Sequence, residues 1–247
     1  VSLPTHLSGL PTATDPAETV RQLVLSEIDP TQGVCLVAAT HLVDAPPATP
    51  PTPDDVLELV ESAMNHGEAP IGPIEYVQGT IEYGLRSEAP VATSISMAGD
   101  VCELHLALAL GPDGWMAVGG SRYGHLPHCD PPRPPASLLL PDVEATLAEA
   151  VVYTRWRARQ LGYHGPVRIE LDAVYPAPLL LCAVDPTSGR TTDGTPRDGI
   201  PTVVFEYDTD LSRADLSARL YETDRQIAAA FGVDEPQWFT PDGHDGS

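Results

Sequence analysis

The stretch RYGHLPHCDPPRPP, Arg122 to Pro135, sets His125, His128, Cys129 and Asp130 within six residues. Imidazole and thiolate are ligands suited to zinc, and a turn can bring residues i and i+3 onto one ion. Pro127 keeps the two histidines from sharing the face of a regular helix, so a metal centre here would be a loop site. His125, His128 and Cys129 are the candidate ligands, with zinc as the ion. Further ligands would have to come from elsewhere in the chain, and His105 or His164 could supply them. The competing reading is a proline-braced connection whose histidines are hydrogen-bonded or solvated. A structural zinc site needs paired ligands on two separated knuckles, and only one such cluster is present.

Other chemistry leaves no signature. G-x-S-x-G is absent, and the glycines of GGSRYG flank Ser121 at the wrong spacing for a nucleophile elbow. A phosphate loop needs a lysine, which the chain lacks, and neither G-x-G-x-x-G nor H-E-x-x-H occurs. Arg155, Trp156, Arg157 and Arg159 form a short basic run around an aromatic. On a helix Arg155 and Arg159 share a face while Arg157 points elsewhere, which predicts a solvated helix end that complements the dipole. Trp156 falls off the core stripe and is a candidate partner anchor, as is Trp238; Trp115 is a third aromatic that reads as exposed. Arg168, Glu170 and Asp172 alternate on the polar side of one strand, the pattern of a solvent-facing charge ladder. Only a neighbouring Glu103 or His105 would turn these carboxylates into an acid/base pair.

The composition bounds what can bind. All 13 basic residues are arginines, against 35 acids, for a formal charge of −22. Phosphate contacts need clustered positive charge, so direct nucleic-acid or anionic-membrane binding is disfavoured. Missing lysine, a single asparagine (Asn65) and abundant alanine, glycine and proline are what high-GC bacterial genomes encode. The four cysteines show no C-x-x-C spacing, and three lie in apolar strand-like runs, as buried thiols of a cytoplasmic protein would. The first residues are neither basic nor apolar enough for a signal peptide, and no apolar run approaches membrane-spanning length. The chain opens on Val1 rather than methionine, as a trimmed chain or a piece of a longer one would.

These residues need a frame. DPAETVRQLVLSEI predicts a helix to about Ile28, with Asp15 as N-cap, Pro16 at the first helical position and Glu18 closing a capping box. GVCLVAATHL suits a central strand. Thr52 and Asp55 box the helix 53–66, stopped at Gly67. The middle is β-rich: Val77, Ile81, Tyr83 and Leu85 share a side, as do Val91, Thr93, Ile95 and Met97, and then Cys102, Leu104, Leu106 and Leu108. GPDG at 111–114 turns the chain into WMAVGGS as a hairpin. A long helix over 141–161 stripes Val143, Leu147, Val151, Thr154, Ala158 and Leu161. VRIELDAV and LLLCAV complete the sheet, PTSGRTTDGTPRDGI is a polar loop, and TVVFEY leads to a helix over about 211–231.

The fold class is therefore α+β: an antiparallel or mixed sheet of about six strands, backed by the long helix and flanked by terminal helices. Residues 1–185 read as the main body and 186–200 as a flexible loop. Residues 201–240 are a strand and helix packed on the same body, and 241–247 are a tail.

The order of elements resembles the region that follows the ATP-binding domain in Schlafen/AlbA-type proteins of high-GC bacteria. Three stretches carry the likeness: VRQLVLSEIDPTQGVCLVAATHL, VCELHLALALGPDGWMAVGGS, and the helix running through RWRARQLGYHGPVRIELDAV, together covering roughly 20–175. The resemblance implies an accessory module that binds a partner or itself. The motifs of the preceding domain have no counterpart here, so no catalytic residue is carried over. The leading expectation is a non-enzymatic interaction or assembly protein of the cytoplasm with an acidic surface. Its rivals are a metal-dependent enzyme centred on residues 125–130 and a small-ligand-binding module with the 186–200 loop as lid.

Overall fold

The structure is a computed structural model, and it describes residues 15–28, 33–65, 81–98, 101–121, 136–175, 178–185, 190–201, 203–233, 236 and 238–241. Helix α1 (Pro16–Glu27) starts as its sequence directs, the Asp15 side chain accepting from the Ala17 N–H at 3.0 Å ahead of Pro16. Glu18 does not close a capping box; it accepts from Gln22 and pairs with Arg21 instead. Strand β1 (Cys35–Leu42) follows, then α2 (Pro53–Asn65). The reciprocal box at the head of α2 is made: Asp55 Oδ2 accepts from the Thr52 N–H at 2.7 Å, and Thr52 Oγ1 from the Asp55 N–H at 3.3 Å.

Four strands then run in succession: β2 (Ile81–Arg86), β3 (Ala89–Ala98), β4 (Val101–Leu110) and β5 (Trp115–Ser121). The β4–β5 hairpin turns where GPDG was expected, with Asp113 at φ 53° and Gly114 at φ 77°. Short β6 (Ser137–Leu139) leads into the long α3 (Leu140–Gln160). Gly162, at φ 60°, lets the chain leave α3, with the Tyr163 N–H returning to the Ala158 carbonyl at 2.8 Å. Strands β7 (Pro166–Val174), β8 (Leu180–Val184), β9 (Thr191–Asp193) and β10 (Val203–Asp208) precede α4 (Arg213–Ala230). Ser212 caps α4, accepting from the Asp215 N–H at 3.2 Å.

The main sheet has seven antiparallel strands in the order β10-β7-β1-β5-β4-β3-β2. Strict alternation in central β1 splits the core in two. Cys35, Val37 and Ala39 face α1, while Leu36, Ala38 and Leu42 face the larger core built with α2, α3 and α4. Burial on both faces is why β1 reads as a continuous apolar run rather than an alternating one. Gly119 in β5 is forced by packing: a Cβ there would sit 2.5 Å from the Leu36 carbonyl oxygen.

Two expectations change. LLLCAV does not complete the main sheet; as β8 it pairs parallel with β6 and antiparallel with β9 in a separate three-stranded sheet beside α3. The segment expected as a flexible loop over 186–200 contains β9 and the bridge Leu179–Arg197 within its described part, residues 190–200. Polar, turn-rich composition hid a strand only three residues long.

Candidate interaction surface

The expected metal ligands His125, His128 and Cys129 lie outside the described residues. Ser121, the last described residue before them, pairs across β4–β5 with His105. The same row on the α1 face runs Val174, Cys35, Ser121, His105, Ile95 across five strands. His105 thus borders the chain's entry into residues 122–135. Glu103, also named as a possible neighbour, has no β3 partner at the register shift beside Ser96. His164 is at the other end of the sheet, before β7 begins, and faces Asp210 at 3.3 Å. Among the described residues no group of three or more His, Cys, Asp or Glu side chains could hold a metal ion.

The aromatic candidates divide. Trp156 is half-buried against the larger core, with the Arg159 guanidinium 4.6 Å from its ring centre. Trp115 stacks on His41 at 4.2 Å. Trp238 keeps 43% of its surface exposed while its N–H donates to Glu144 Oε1 at 2.7 Å.

Two charge arrangements differ from what the sequence suggested. Arg157 is buried rather than solvated: its guanidinium donates to Gln160 at 3.1 Å and lies 3.9 Å from Asp55 of α2. The β7 ladder is not simply solvent-facing either. Arg21 of α1 donates to Glu170 at 2.6 Å, and Arg168 joins them at 2.9 Å. Burial pushes the Glu170 carboxyl up, but hydrogen bonds from the two guanidiniums outweigh it and hold it below its ordinary value.

Sequence reading missed a buried acid. Asp224 lies fully buried on the core stripe of α4, and neither carboxyl oxygen has a hydrogen-bond partner among the described residues. Burial, then the neighbouring Glu144 charge, push its carboxyl well above the usual range. Glu144 itself accepts from the Trp238 and Phe239 N–H groups, tying the C-terminal segment to α3. The signal was present: Asp224 stands four residues after Leu220 and three before Ile227, in register with buried positions.

Three of the exposed large apolar side chains, Tyr83, Leu85 and Ile95, gather at the β2 end of the sheet. β2 is an edge strand, paired only with β3 among the described residues. Tyr83 and Leu85, which the alternation in the sequence puts on one side of the strand, are 46% and 56% exposed on the α2 face. Ile81 of the same strand, by contrast, packs against the larger core. Ile95, 47% exposed, stands on the opposite face of the adjoining β3. Glu82, Gly84 and Arg86 occupy the α1 face of β2, and Arg86 Nε is 3.1 Å from Glu27 of α1. By contrast, residues 195–199 line an open hollow of about 470 Å³, too shallow and exposed to enclose a ligand.

No helix among the described residues is long and apolar enough to cross a membrane. Compared with known proteins, the chain matches no family model, no curated protein and no solved structure.

Proposed function

We propose that the chain is a non-enzymatic interaction or assembly protein of the cytoplasm, which makes its contacts along the β2 border of the sheet. The observation that carries this reading is an edge strand: among the described residues β2 pairs only with β3, it contains no proline, and it displays Tyr83 and Leu85 on its α2 face. An edge strand offers a row of backbone donors and acceptors to another strand, and soluble proteins ordinarily blunt such edges. The formal charge of −22 keeps the rest of the surface from sticking indiscriminately. Buried thiols at Cys35 and Cys182 suit a reducing compartment. An accessory, partner-binding role also fits the Schlafen/AlbA-type resemblance.

Light scattering after size exclusion, with a lysate pull-down, tests the reading. A mass above the 26.3 kDa chain, or retention of a defined partner, should be lost in Tyr83→Glu/Leu85→Glu while circular dichroism stays unchanged. A monomer that retains no partner would overturn it.

A second reading, a zinc-dependent enzyme at residues 125–130, draws on one observation: His105 borders the entry to that segment. Elemental analysis after zinc supplementation tests it. Near-stoichiometric zinc that falls in His105→Ala supports it, and metal-free protein removes it.

A further inference from the structure

Resting on the assembly reading, we propose that the partner at β2 is a second copy of this chain, docked antiparallel about a twofold axis through Gly84. Two seven-stranded sheets would then continue into one. The β2–β3 connection fixes which backbone groups are available. Ser87 and Glu88 form a two-residue turn with φ of 48° and 71°, between Arg86 and Ala89. In such a turn the Arg86 carbonyl bonds to the Ala89 N–H, so Arg86 directs its backbone groups inward to β3. Strand groups alternate, so Gly84 and Glu82 also point inward. Ile81, Tyr83 and Leu85 present theirs at the outer edge.

The residues Glu82, Tyr83, Gly84, Leu85 and Arg86 complement themselves when the segment is reversed. With the axis at Gly84, Glu82 of each copy faces Arg86 of the other, and Tyr83 faces Leu85. Each of these pairs occurs twice. Tyr83 and Leu85 both carry outward backbone groups, so each pair exchanges two hydrogen bonds. Glu82 and Arg86 fall at the alternate, non-hydrogen-bonded positions, where facing side chains approach most closely. Moving the axis by one residue either way, to Tyr83 or Leu85, keeps the backbone groups aligned but separates the charges.

Gly84 is otherwise unexplained. Its φ is not in the left-handed region, and an added Cβ would meet only the end of the Arg86 side chain, at 3.4 Å. A glycine inside a strand weakens it and commonly marks a close approach of another backbone. On the proposed axis, a side chain at 84 would stand between the two ion pairs. A net charge of −22 per copy opposes association in general, and Arg86 already holds Glu27 through its Nε at 3.1 Å, so Glu82 of the other copy would meet the outer end of the same guanidinium.

Charge reversal tests the pairing, read by sedimentation of the full chain with circular dichroism as a check on folding. The wild type should dimerise. Glu82→Arg places two arginines face to face and Arg86→Glu two acids, and each should weaken the dimer by roughly tenfold or more. An equimolar mixture of the two variants should dimerise again, because both pairs become complementary, and so should the double variant E82R/R86E. Single variants that dimerise like the wild type would overturn the Gly84 axis while leaving assembly through another surface in place. A monomeric wild type overturns self-pairing, and if it also retains no partner from lysate, the assembly reading falls with it.

Discussion

Asp224→Asn is expected to stabilise the protein increasingly as the pH rises, because the wild-type side chain is a carboxyl held where its charge has no support. Asp224 is fully buried, with no hydrogen-bond partner for either oxygen among the described residues, and burial and then Glu144 raise its titration well above the ordinary value. Two N–H donors on Glu144 favour the carboxylate on that residue, so Asp224 is the member of the pair that holds a proton. An unfolded aspartate titrates near ~3.9. Between that value and the raised folded one, the folded chain binds more protons than the unfolded chain. The stability linked to Asp224 is complete below the unfolded value and declines as pH rises through the folded one, by about 1.4 kcal/mol per pH unit. Asparagine keeps the shape, does not titrate, and carries N–H donors for the Glu144 carboxylate. Wherever the pH lies within that window, the difference between variant and wild type should therefore grow by about 1.4 kcal/mol per pH unit. Urea unfolding at about pH 5, 6, 7 and 8 measures it, provided the m-values agree. Stability curves that stay parallel, or an asparagine variant weaker by a constant amount, would refute the reasoning by showing an Asp224 that folds as a supported carboxylate.

Glu88 at φ 71° is a left-handed non-glycine residue, so Glu88→Gly should relieve strain of about 1 kcal/mol and raise the melting temperature by about 2–4 °C; a lower melting temperature would count against strain at the turn. Arg157→Ala strips the buried guanidinium from Gln160 and Asp55 and should cost about 1–3 kcal/mol in chemical denaturation, with Arg157→Met costing less because it keeps the packing stem. Equal losses in the two variants would deny the stem a role. Glu170 titrates below its ordinary value, so its contribution is present above the unfolded value and is lost as pH falls through the folded one. Glu170→Gln should flatten the acid limb of the stability curve, and an unchanged limb would deny the Arg21–Glu170–Arg168 network that role.

Where local chemistry decides structure, the sequence was informative. Asp15 before Pro16, the Thr52/Asp55 box and GPDG at 111–114 each set an element boundary through contacts within four or five residues. The stripe from Val143 to Ala158 is buried as a repeating helix face would be, but α3 is covered on every side from Asp142 to Val151, which a stripe does not show. Placement between elements was not legible in the same way. The alternation through Tyr83 and Leu85 indicates a two-sided strand, but only the pairing order shows that β2 is an edge and its apolar side lies open. LLLCAV is apolar enough for any buried strand, and nothing local assigns it to the smaller sheet. Arg157 looked solvated because its burial depends on α2, about a hundred residues earlier, lying across it. The E-Y-G-L-R complementarity is visible in the sequence, yet it gains meaning only once those residues are known to face outward along an unpaired edge.

Disulfide trapping at Gly84 tests assembly through β2 most directly. On a twofold axis at a non-hydrogen-bonded position the two Cα atoms lie about 4.5 Å apart, within the range a disulfide spans. Gly84→Cys under mild oxidation should give a covalent species of twice 26.3 kDa, with wild type controlling for the native cysteines. A cysteine placed at exposed Val204 on the opposite edge should not do so at comparable speed. A Gly84→Cys chain that stays monomeric, or that crosslinks no faster than the Val204 control, would contradict self-pairing of this edge about Gly84.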